Sequence, residues 1–469
     1  MRSQAIDVSI YDFIARMLLL DFTERTPESV RSSATRFAMS FQQYTGPVMA
    51  KGMEDTAFYV FYRLLSLNDV GNDPTRFGRS VAEFHERNRD RAQDRPHALL
   101  SNSTHDHKRS ADVRARINVL SEVPDRWQAC VSGWNRMNRS HKRRVAGLFA
   151  PTKNDEYAFY QTLIGVHPAG ALSGDQIDTF RERIERTMIK SVREAKVHSS
   201  WINVNPAYED ATLSFVRAVL ADDREDGFLA DFRRFQSKVA FFGMLNGLAL
   251  TLLQLTVPGV PDIYQGDELW RYSLVDPDNR RPVDFELRHR MLRELDQQQR
   301  EPSFSQDESS GGSAASEADA ASVPALARTR ELFSSLSDGR AKLYVLSRVL
   351  RLRAQLPELF SASEYEALAV RGSLADHACA YLRRHGERAM IVIVPRLCAK
   401  LLDFTPGRLP VGEKVWGDTW IELARPEAGR VFRHVLTRET LEPGQGDQSG
   451  RIPMGEALRS IPVGLFLCE

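Results

Sequence analysis

Two short apolar runs in this chain each end in a cluster of charged and polar residues. The run that begins at His97 leads to His105-Asp106-His107-Lys108-Arg109, and the run that begins at Thr256 leads to Tyr264-Gln265-Gly266-Asp267-Glu268. Apolar runs of this length are typical of strands that are buried on both faces of a parallel sheet or barrel. Polar side chains at the carboxyl ends of such strands carry the chemistry of α/β barrels. The pattern therefore predicts an α/β fold, with Asp106 as the first candidate for a working carboxylate.

The first cluster has a second interpretation on these residues alone. Thr104 or Asp106 would serve as the N-cap of a helix that begins near Lys108-Arg109-Ser110-Ala111-Asp112, because both residue types favour that position. The two interpretations are equally favoured at this point.

The balance of charge limits the partners of the chain. Its 469 residues include 63 basic and 62 acidic ones, which gives a formal charge of +1. Binding to nucleic acid or to a membrane surface needs clustered basic charge, so we expect neither partner. The cysteines (Cys130, Cys379, Cys398 and Cys468) are scattered, and the start of the chain lacks the pattern of a secretory signal. A soluble protein of a reducing, cytoplasmic compartment is expected.

The run from Gly243 to Val260 is about long enough to cross a bilayer. It contains Asn246 and Gln254 and is closed by Pro258-Gly259-Val260-Pro261. We therefore predict a buried helix that leads into a strand.

The N-terminal region is predicted to be helical, with an amphipathic segment from Ile10 to Phe22 and a second helix from Pro27 onward. Residues 41–59 are predicted to form a structured loop because Gly46-Pro47 and Lys51-Gly52 interrupt the pattern. The polar and aromatic side chains of this loop suit a carbohydrate, which offers hydroxyls and flat C–H faces. A surface loop with a pair of core aromatics is the interpretation that the residues alone favour.

The loop that begins at Asp276 is rich in charge and proline. The spacing of Asp276, Asp278 and Asn279 resembles a calcium loop, but Pro277 and the neighbouring arginines do not fit an EF-hand. We predict no metal site there and no cofactor elsewhere.

The C-terminal part changes from helical to alternating periodicity. Residues 304–324 are rich in Ser, Ala, Gly, Asp and Glu, a composition that predicts a flexible insertion. A helix is expected from Lys342 to Gln355. Short alternating runs after Tyr365 predict strands of a small β-sandwich.

Together these motifs resemble the maltooligosyl trehalose synthases, the glucosylmutase family within the α-amylase superfamily of glycoside hydrolases. The resemblance rests on Gly46-Pro47-Val48-Met49-Ala50-Lys51-Gly52 with Glu54-Asp55-Thr56-Ala57-Phe58-Tyr59, Leu64-Leu65-Ser66-Leu67-Asn68, Ser103-Thr104-His105-Asp106 with Lys108-Arg109, Asn154-Asp155-Glu156-Tyr157, Arg193-Glu194-Ala195-Lys196, Pro261-Asp262-Ile263-Tyr264-Gln265-Gly266 and Asp276-Pro277-Asp278-Asn279-Arg280-Arg281-Pro282.

The resemblance implies the C-terminal part of a TIM (β/α)8 barrel with large helical insertions, followed by a small all-β sandwich domain. On this basis residues 1–95 are a helical insertion before barrel strand 7. Residues 96–300 hold strands 7 and 8 with an insertion at 110–230. Residues 301–327 are the flexible insertion, 328–360 the last barrel helix, and 361–469 the β domain.

The implied reaction converts the reducing-end α-1,4 bond of a maltooligosaccharide to an α,α-1,1 bond, which leaves a terminal trehalose unit. By this resemblance Asp106 is the third catalytic carboxylate, which binds the ring hydroxyls of the reacting sugar, and His105 donates to the same sugar. Lys51 and Lys108 face the +1 sugar. The substrate-binding residues also include Glu54, Asp55, Asp276 and Arg280, and Tyr264, Asp267 and Glu268, for which a role at the rim of the site is equally open.

The Gly-x-Arg-x-Asp motif of the superfamily nucleophile and the Glu of its acid do not precede His105-Asp106 here. We expect this chain to be inactive alone and to need a separately encoded N-terminal barrel half as its partner. The alternatives are another α-glucan transferase or hydrolase of the superfamily, or a glucan-binding remnant without chemistry. The motifs around Lys51 and Lys108 favour the mutase.

Overall fold

The structure is a computed structural model that describes residues 8–168, 170, 172–222, 224–299, 325–423, 430–444 and 450–468. Most of the predicted flexible insertion, at 301–324, lies outside the described residues. Its last three positions, 325–327, begin a helix, so the insertion as predicted extends too far toward the C-terminus.

Helices dominate the chain as far as residue 361. They are α1 (Val8–Leu19), α2 (Glu28–Met49), α3 (Val81–Asp94), α4 (Ala111–Val119), α5 (Pro124–Met137), α6 (Lys153–Val166), α7 (Asp175–Ala195), α8 (Pro206–Leu220), α9 (Phe228–Thr256), α10 (Phe285–Gln299), α11 (325–334), α12 (Arg340–Gln355) and α13 (Pro357–Ser361). The predicted last barrel helix, at 328–360, is thus divided among α11, α12 and α13.

Helix α9 forms the centre of this helical part. Its buried side chains include Phe228, Phe232 and Phe242, and it packs against α4, α6 and α12. Its length and composition would allow it to cross a membrane, but most of its apolar stretch is buried inside the protein. The predicted buried helix that leads into a strand is confirmed, because β4 follows its end after a short turn.

The predicted loop at 41–59 is largely helical instead. Helix α2 continues through Gly46 and Pro47 to Met49 and is followed by a π-helical turn, Ala50–Glu54. A proline inside a helix removes one backbone donor, and a neighbouring turn with wider spacing accommodates the change. A second turn, the 3-10 helix Ala57–Tyr59, stands where the chain leaves this segment.

The two predicted strands exist and pair in parallel. They are β1 (Leu99–Ser101) and β4 (Val260–Asp262), with Leu99 opposite Val260 and Ser101 opposite Asp262. The prediction that both strands are buried on both faces is wrong for this chain, since Leu99 is 75% exposed and Val260 40%. The physical reason is that the described residues add no third strand to the pair.

The remaining strands form the all-β part and a small hairpin. The hairpin pairs β2 (Arg143–Val145) with β3 (Leu148–Ala150). The C-terminal strands are β5 (Glu364–Arg371), β6 (Ala378–His385), β7 (Arg388–Pro395), β8 (Trp420–Glu422), β9 (Phe432–His434), β10 (Thr440–Leu441), β11 (Arg451–Pro453) and β12 (Gly464–Cys468), with the short helices α14 (Cys398–Leu401), α15 (Glu413–Trp416) and α16 (Met454–Ala457) among them.

The C-terminal sheet is one hydrogen-bonded unit of eight strands in the order β10-β9-β12-β7-β6-β5-β8-β11. Strand β5 pairs with β6 along Glu364–Leu368 and with β8 along Ala369–Arg371, so the sheet folds over at this strand. The predicted all-β C-terminal part is confirmed, but a single folded-over sheet takes the place of a sandwich of two separate sheets.

Candidate functional site

The candidate site lies where β1 and β4 end. Because the two strands are parallel, the loops that follow them leave the same edge of the pair. The loop after β1 carries Asp106, and the backbone N–H of Asp106 donates to Oγ1 of Thr104 at 3.2 Å. Helix α4 begins only at Ala111, with Ser110 at its N-cap. The alternative in which Thr104 or Asp106 caps this helix is therefore wrong.

Asp106 and His105 present their side chains to the surface. The side chain of Asp106 is 69% exposed, and its Oδ2 lies 3.3 Å from Nε2 of His105. A carboxylate with this exposure retains lone pairs for hydroxyl donors, as a sugar ligand would require. The neighbouring His107 is held inward, with Nδ1 2.7 Å from Oγ1 of Thr104, and burial lowers its pKa.

Lys51, Asp55 and Lys108, all predicted to bind substrate, form one cluster. The Asp55 carboxylate accepts from Nζ of Lys51 at 2.7 Å and from Nζ of Lys108 at 2.9 Å. Burial acts to raise the pKa of Asp55, but the hydrogen bonds and charges of the two lysines outweigh it and lower the pKa below its ordinary value. The hydrogen bond to Asp55 in turn raises the pKa of Lys51. Lys51 lies in the π-helical turn, Asp55 directly follows this turn, and Lys108 belongs to the loop of Asp106, so the cluster joins these two segments.

A fully buried carboxylate that the sequence analysis does not single out fixes the backbone of this loop. Asp69 accepts from the backbone N–H of Lys108 at 3.1 Å and of Arg109 at 3.4 Å, and also from Val70 at 2.8 Å. It is 0% exposed, and the guanidinium of Arg114 lies 3.4 Å from its Oδ2. Asp69 directly follows the motif Leu64–Asn68, and this adjacency is the only sequence signal that points to it.

The loop around Asp276 is tied to the loop of Asp106. The side-chain amide of Asn279 donates to the backbone carbonyl of His105 at 2.7 Å. Asp278 anchors the loop from behind, because Nε of Arg183 lies 2.8 Å from Oδ1 and its Nη2 lies 3.0 Å from Oδ2. Asn279 and Arg183 are therefore positioning residues that the sequence analysis does not assign.

The other residues predicted to bind substrate mainly contact side chains of this same chain. Asp276 pairs with Arg280 at 2.5 Å, Glu268 pairs with Arg288 at 2.8 Å, and the guanidinium of Arg271 lies over the ring of Tyr264. Asp267 is buried, and this burial raises its pKa. The structure therefore does not join these residues to the Lys51 cluster by direct contact.

Glu54 and the motif Arg193–Lys196 lie next to the segment that carries Lys51 and Asp55. Oε1 of Glu54 accepts from the backbone N–H of Gly71 at 3.4 Å. Nζ of Lys196 donates to Oγ1 of Thr56 at 2.7 Å, and Glu194 adds a negative charge that acts on Lys51. The motif Arg193–Lys196 thus contacts the segment after α2, although the two are far apart in the sequence.

The described residues hold no group of three or more histidine, cysteine, aspartate or glutamate side chains that is arranged to bind a metal ion. The carboxylates of the former calcium-loop candidate, Asp276 and Asp278, each contact an arginine. The exposed carboxylate of Asp106, the imidazole of His105 and the ammonium of Lys51 can each form hydrogen bonds with the hydroxyls of a polar ligand.

Comparisons with known proteins agree on one family. No family model matches the sequence. A protein of Mycobacterium tuberculosis strain H37Rv that is assigned as a maltooligosyl trehalose synthase is 36% identical over 385 residues, which are 81% of this chain and 42% of the relative. The solved maltooligosyltrehalose synthase of Arthrobacter ramosus superposes with a TM-score of 0.69 at 32% identity, covering 94% of this chain and 46% of that one.

A more distant solved structure gives the same result. A hypothetical maltooligosyl trehalose synthase from Sulfolobus tokodaii superposes with a TM-score of 0.62 at 28% identity, covering 97% of this chain and 53% of that one. The chain therefore spans about two fifths of the curated relatives that it matches and about half of the solved structures.

Proposed function

Since the chain belongs to the maltooligosyl trehalose synthase family, we propose that it contributes one side of the active site of a (1→4)-α-D-glucan 1-α-D-glucosylmutase. The substrate is a maltooligosaccharide, and the product carries a terminal trehalose unit. The observation that carries the proposal is the exposed Asp106 carboxylate at the end of β1, in the same loop as Lys108 of the lysine–aspartate cluster.

The roles of the residues follow from their exposure and charge. Asp106 accepts hydrogen bonds from ring hydroxyls of the reacting sugar, and these bonds strengthen as positive charge develops at the anomeric carbon. His105 donates to the same sugar. Lys51 offers an exposed ammonium donor to the neighbouring glucose, and the buried Lys108 supports it through their shared partner Asp55. Asn279 holds the backbone of the Asp106 loop at its other side.

The reaction is an isomerisation that retains anomeric configuration at the transferred carbon. A carboxylate nucleophile forms a bond to this carbon while a carboxylic acid protonates the departing glucose oxygen. The released glucose then turns, and its own anomeric hydroxyl attacks the same carbon and gives its proton to the carboxylate that had acted as acid. The nucleophile leaves, and no water is consumed. A site that excludes water is therefore essential.

We propose that β1 and β4 are the seventh and eighth strands of a (β/α)8 barrel, and that the nucleophile and the acid of this reaction lie on other strands of this barrel. Two carboxyl groups about 5–5.5 Å apart are needed. Of the carboxylates predicted for the site, Asp55, Glu268 and Asp276 are each paired with a lysine or arginine. This engagement supports a nucleophile and acid from elsewhere, and we propose that the chain alone is inactive.

The proposed division of the chain keeps residues 1–95 and 110–230 as insertions around the barrel strands, and 361–469 as the β domain. A cytoplasmic location is proposed as well. It is supported by the four cysteines, which are all free thiols, three of them buried.

The test is reconstitution. The part of the Arthrobacter ramosus synthase that this chain does not cover is produced separately and mixed with the chain and maltopentaose. We expect loss of reducing ends without release of glucose, and a loss of rate of about 100-fold or more in Asp106→Asn. The matched control is Asp90→Asn, an exposed carboxylate on α3. Activity that survives in Asp106→Asn would rule out its catalytic role, and conversion of maltopentaose by the chain alone would rule out a nucleophile and an acid that lie outside it.

A further inference from the structure

The exposed indole ring of Trp201 lies beside a groove between α7 and the loop that begins at Asp276. Trp201 is 54% exposed and belongs to the segment that joins α7 to α8. The groove has a volume of about 690 Å³ and is lined by side chains of α7, α8, the Asp276 loop and Trp201 itself. Sites for small ligands usually measure about 300–1,000 Å³, so the groove is large enough for one.

The ring of Trp201 is held from one side. The guanidinium of Arg193 lies over it, 4.9 Å from the ring centroid. Glu209 fixes this guanidinium with both carboxylate oxygens, since Oε1 accepts from Nε at 2.9 Å and Oε2 accepts from Nη2 at 2.7 Å. The hydroxyl of Ser199 donates to the same carboxylate at 2.6 Å and accepts from the backbone N–H of Asn205 at 3.0 Å. The orientation of the exposed ring is therefore set before a ligand binds, which lowers the entropic cost of binding.

The charged side chains that line the groove, among the residues that the structure describes, are paired within the protein. Its carboxylates each lie 2.5–2.8 Å from an arginine nitrogen (Glu185, Asp276 and Asp278). Its cationic side chains each contact a carboxylate or a carbonyl oxygen (Arg183, Arg186, Lys190 and Arg281). An ionic ligand would have to compete with these pairs. A neutral ligand with many hydroxyls would instead share their remaining N–H donors and oxygen lone pairs.

The other lining residues match the two kinds of surface that a sugar ring presents. Trp201, Leu213 and Pro277 offer apolar surface to the C–H faces of the ring, and the hydroxyl of Thr179 is a partner for the hydroxyls at its edge. The groove and the candidate site also share one loop. Asp276 lines the groove and is predicted to bind the substrate, and its loop is tied to the carbonyl of His105 by a hydrogen bond from Asn279.

We propose that this groove is a glucan-binding site outside the catalytic centre, at which Trp201 packs against an α-1,4-linked segment of a maltooligosaccharide that is remote from the reacting end. The ring of Trp201 faces the C–H surface of one glucose residue. The polar groups of α7 and of the Asp276 loop bind hydroxyls of the neighbouring residues. The identity of the glucan rests on the proposed function, and the groove adds a place where long substrates are held more tightly than short ones.

The experiment titrates the chain with maltoheptaose and follows its six tryptophans, carrying fluorine on the indole ring, by fluorine NMR. We expect the resonance of Trp201, assigned with Trp201→Phe, to shift in a saturable way. Trp420 is the matched control, because Arg451 lies over its ring at 4.3 Å but the residue belongs to β8 and does not line the groove. Its resonance is expected to stay in place. The shift of Trp201 should persist in Asp106→Asn, since the groove does not depend on the catalytic centre.

Calorimetric titration with maltoheptaose measures the affinity of each variant in the Asp106→Asn background, which removes the proposed sugar contact of the catalytic centre. Trp201→Ala is expected to weaken binding at least tenfold, because it removes the aromatic face. Trp201→Phe keeps a ring and should bind within about threefold of the background protein, as should Trp420→Ala. Maltotriose, which is too short to extend from the catalytic centre to the groove, should bind with the same affinity in all of these variants.

Thermal melting shows whether each variant is folded, and the Trp201 resonance of the wild-type chain decides the matter if Trp201→Ala is not. An unshifted Trp201 resonance, equal losses in Trp201→Ala and Trp420→Ala, or a shift caused by inorganic phosphate but not by maltoheptaose would overturn the inference. Formation of trehalose units in the reconstituted mixture separates it from the proposed function. A Trp201 shift in an inactive mixture would refute only the mutase, whereas an active mixture without this shift would refute only the groove.

Discussion

The ammonium of Lys108 lies 2.9 Å from Oδ1 of Asp55, across 53 positions of sequence. Its side chain is 8% exposed, whereas that of Lys51, which binds the other oxygen of the same carboxylate, is 74% exposed. One carboxylate therefore joins a buried cation to an exposed one. The two lysines lie at similar distances from Asp55 but differ in exposure. We therefore expect the two ion pairs to contribute differently to the free energy of unfolding.

Replacement of Asp55 by asparagine is expected to lower the free energy of unfolding by about 2–3 kcal/mol, because it leaves the buried Lys108 ammonium without a counter-charge. Lys51→Met is the control and is expected to cost less than about 1 kcal/mol, as exposed pairs do. Urea unfolding measures both. Equal losses in the two variants would show that Lys108 is not held by this carboxylate.

Asp69→Asn is expected to cost about 3 kcal/mol, because asparagine directs amide hydrogens at backbone donors that now bind a carboxylate. The loop of Asp106 should then become a site of cleavage in limited proteolysis. Asp73→Asn, an exposed carboxylate nearby that accepts from Thr75 at 2.9 Å, should cost less than about 1 kcal/mol. An unchanged cleavage pattern in Asp69→Asn would contradict the positioning role of Asp69.

Glu122 links the helical part to the β part, because its Oε2 accepts from the backbone N–H of Ala399 at 2.8 Å and of Lys400 at 3.1 Å. Burial raises its pKa from 4.5 to about 7, against the opposing effects of these bonds, of the charge of Arg396 and of a hydrogen bond to Asn246. Cys398, whose pKa burial raises, also faces it.

A carboxyl group whose pKa is higher in the folded state binds its proton more tightly there. Its contribution to stability is complete below pH 4.5 and is lost as the pH rises to about 7. Glu122→Gln keeps the oxygen acceptor and does not titrate, so its melting temperature should rise relative to wild type between pH 4.5 and 7. Melting temperatures across this range provide the measurement, and a constant difference between the two proteins would refute the raised pKa.

Gly243 and Gly133 both lie in helices, but replacement by alanine is expected to destabilise the protein at Gly243 and to stabilise it at Gly133. A β-carbon at Gly243 would lie 2.9 Å from Cα of Arg116, whereas a β-carbon at Gly133 meets nothing within 4 Å. Gly243→Ala is expected to destabilise by about 1–3 kcal/mol through overpacking. Gly133→Ala should stabilise by about 0.5–1 kcal/mol, since alanine favours the helix. Calorimetric melting that ranks the two variants the other way would contradict the packing of α4 on α9.

The pattern of apolar residues was sufficient to predict a helix or strand where that element was long and periodic. The helix from Val239 to Leu253 was predictable because its apolar run exceeds what a strand needs, and the alternation after Tyr365 was sufficient to predict strands. The helical structure of segment 41–59 could not be predicted, because Gly46-Pro47 normally interrupts a helix. Here the helix continues through this pair, and a π-helical turn follows it.

The charged residues of the candidate site could be predicted from the sequence, but the residues that hold the backbone of its loop could not. Asp106 and Lys108 stand in a charged cluster at a strand end, which local sequence displays. Asp69 and Asn279 act on the backbone of that loop from distant segments, and nothing in their own neighbourhoods indicates the contact. The exposure of Leu99 was also hidden, since an apolar run carries no information on how many neighbours its strand has.

Strands β6 and β7 divide their side chains between two cores. Cys379 and Tyr381 belong to the core shared with α9, whereas Ala380 and Leu382 belong to the core enclosed by the folded-over sheet. A polypeptide excised at residue 361 would thus keep every hydrogen bond between β6 and β7 and still present one whole apolar side of them to water. The residues after position 361 therefore do not form a domain that folds by itself. We expect a piece that begins there to precipitate when it is expressed without α9.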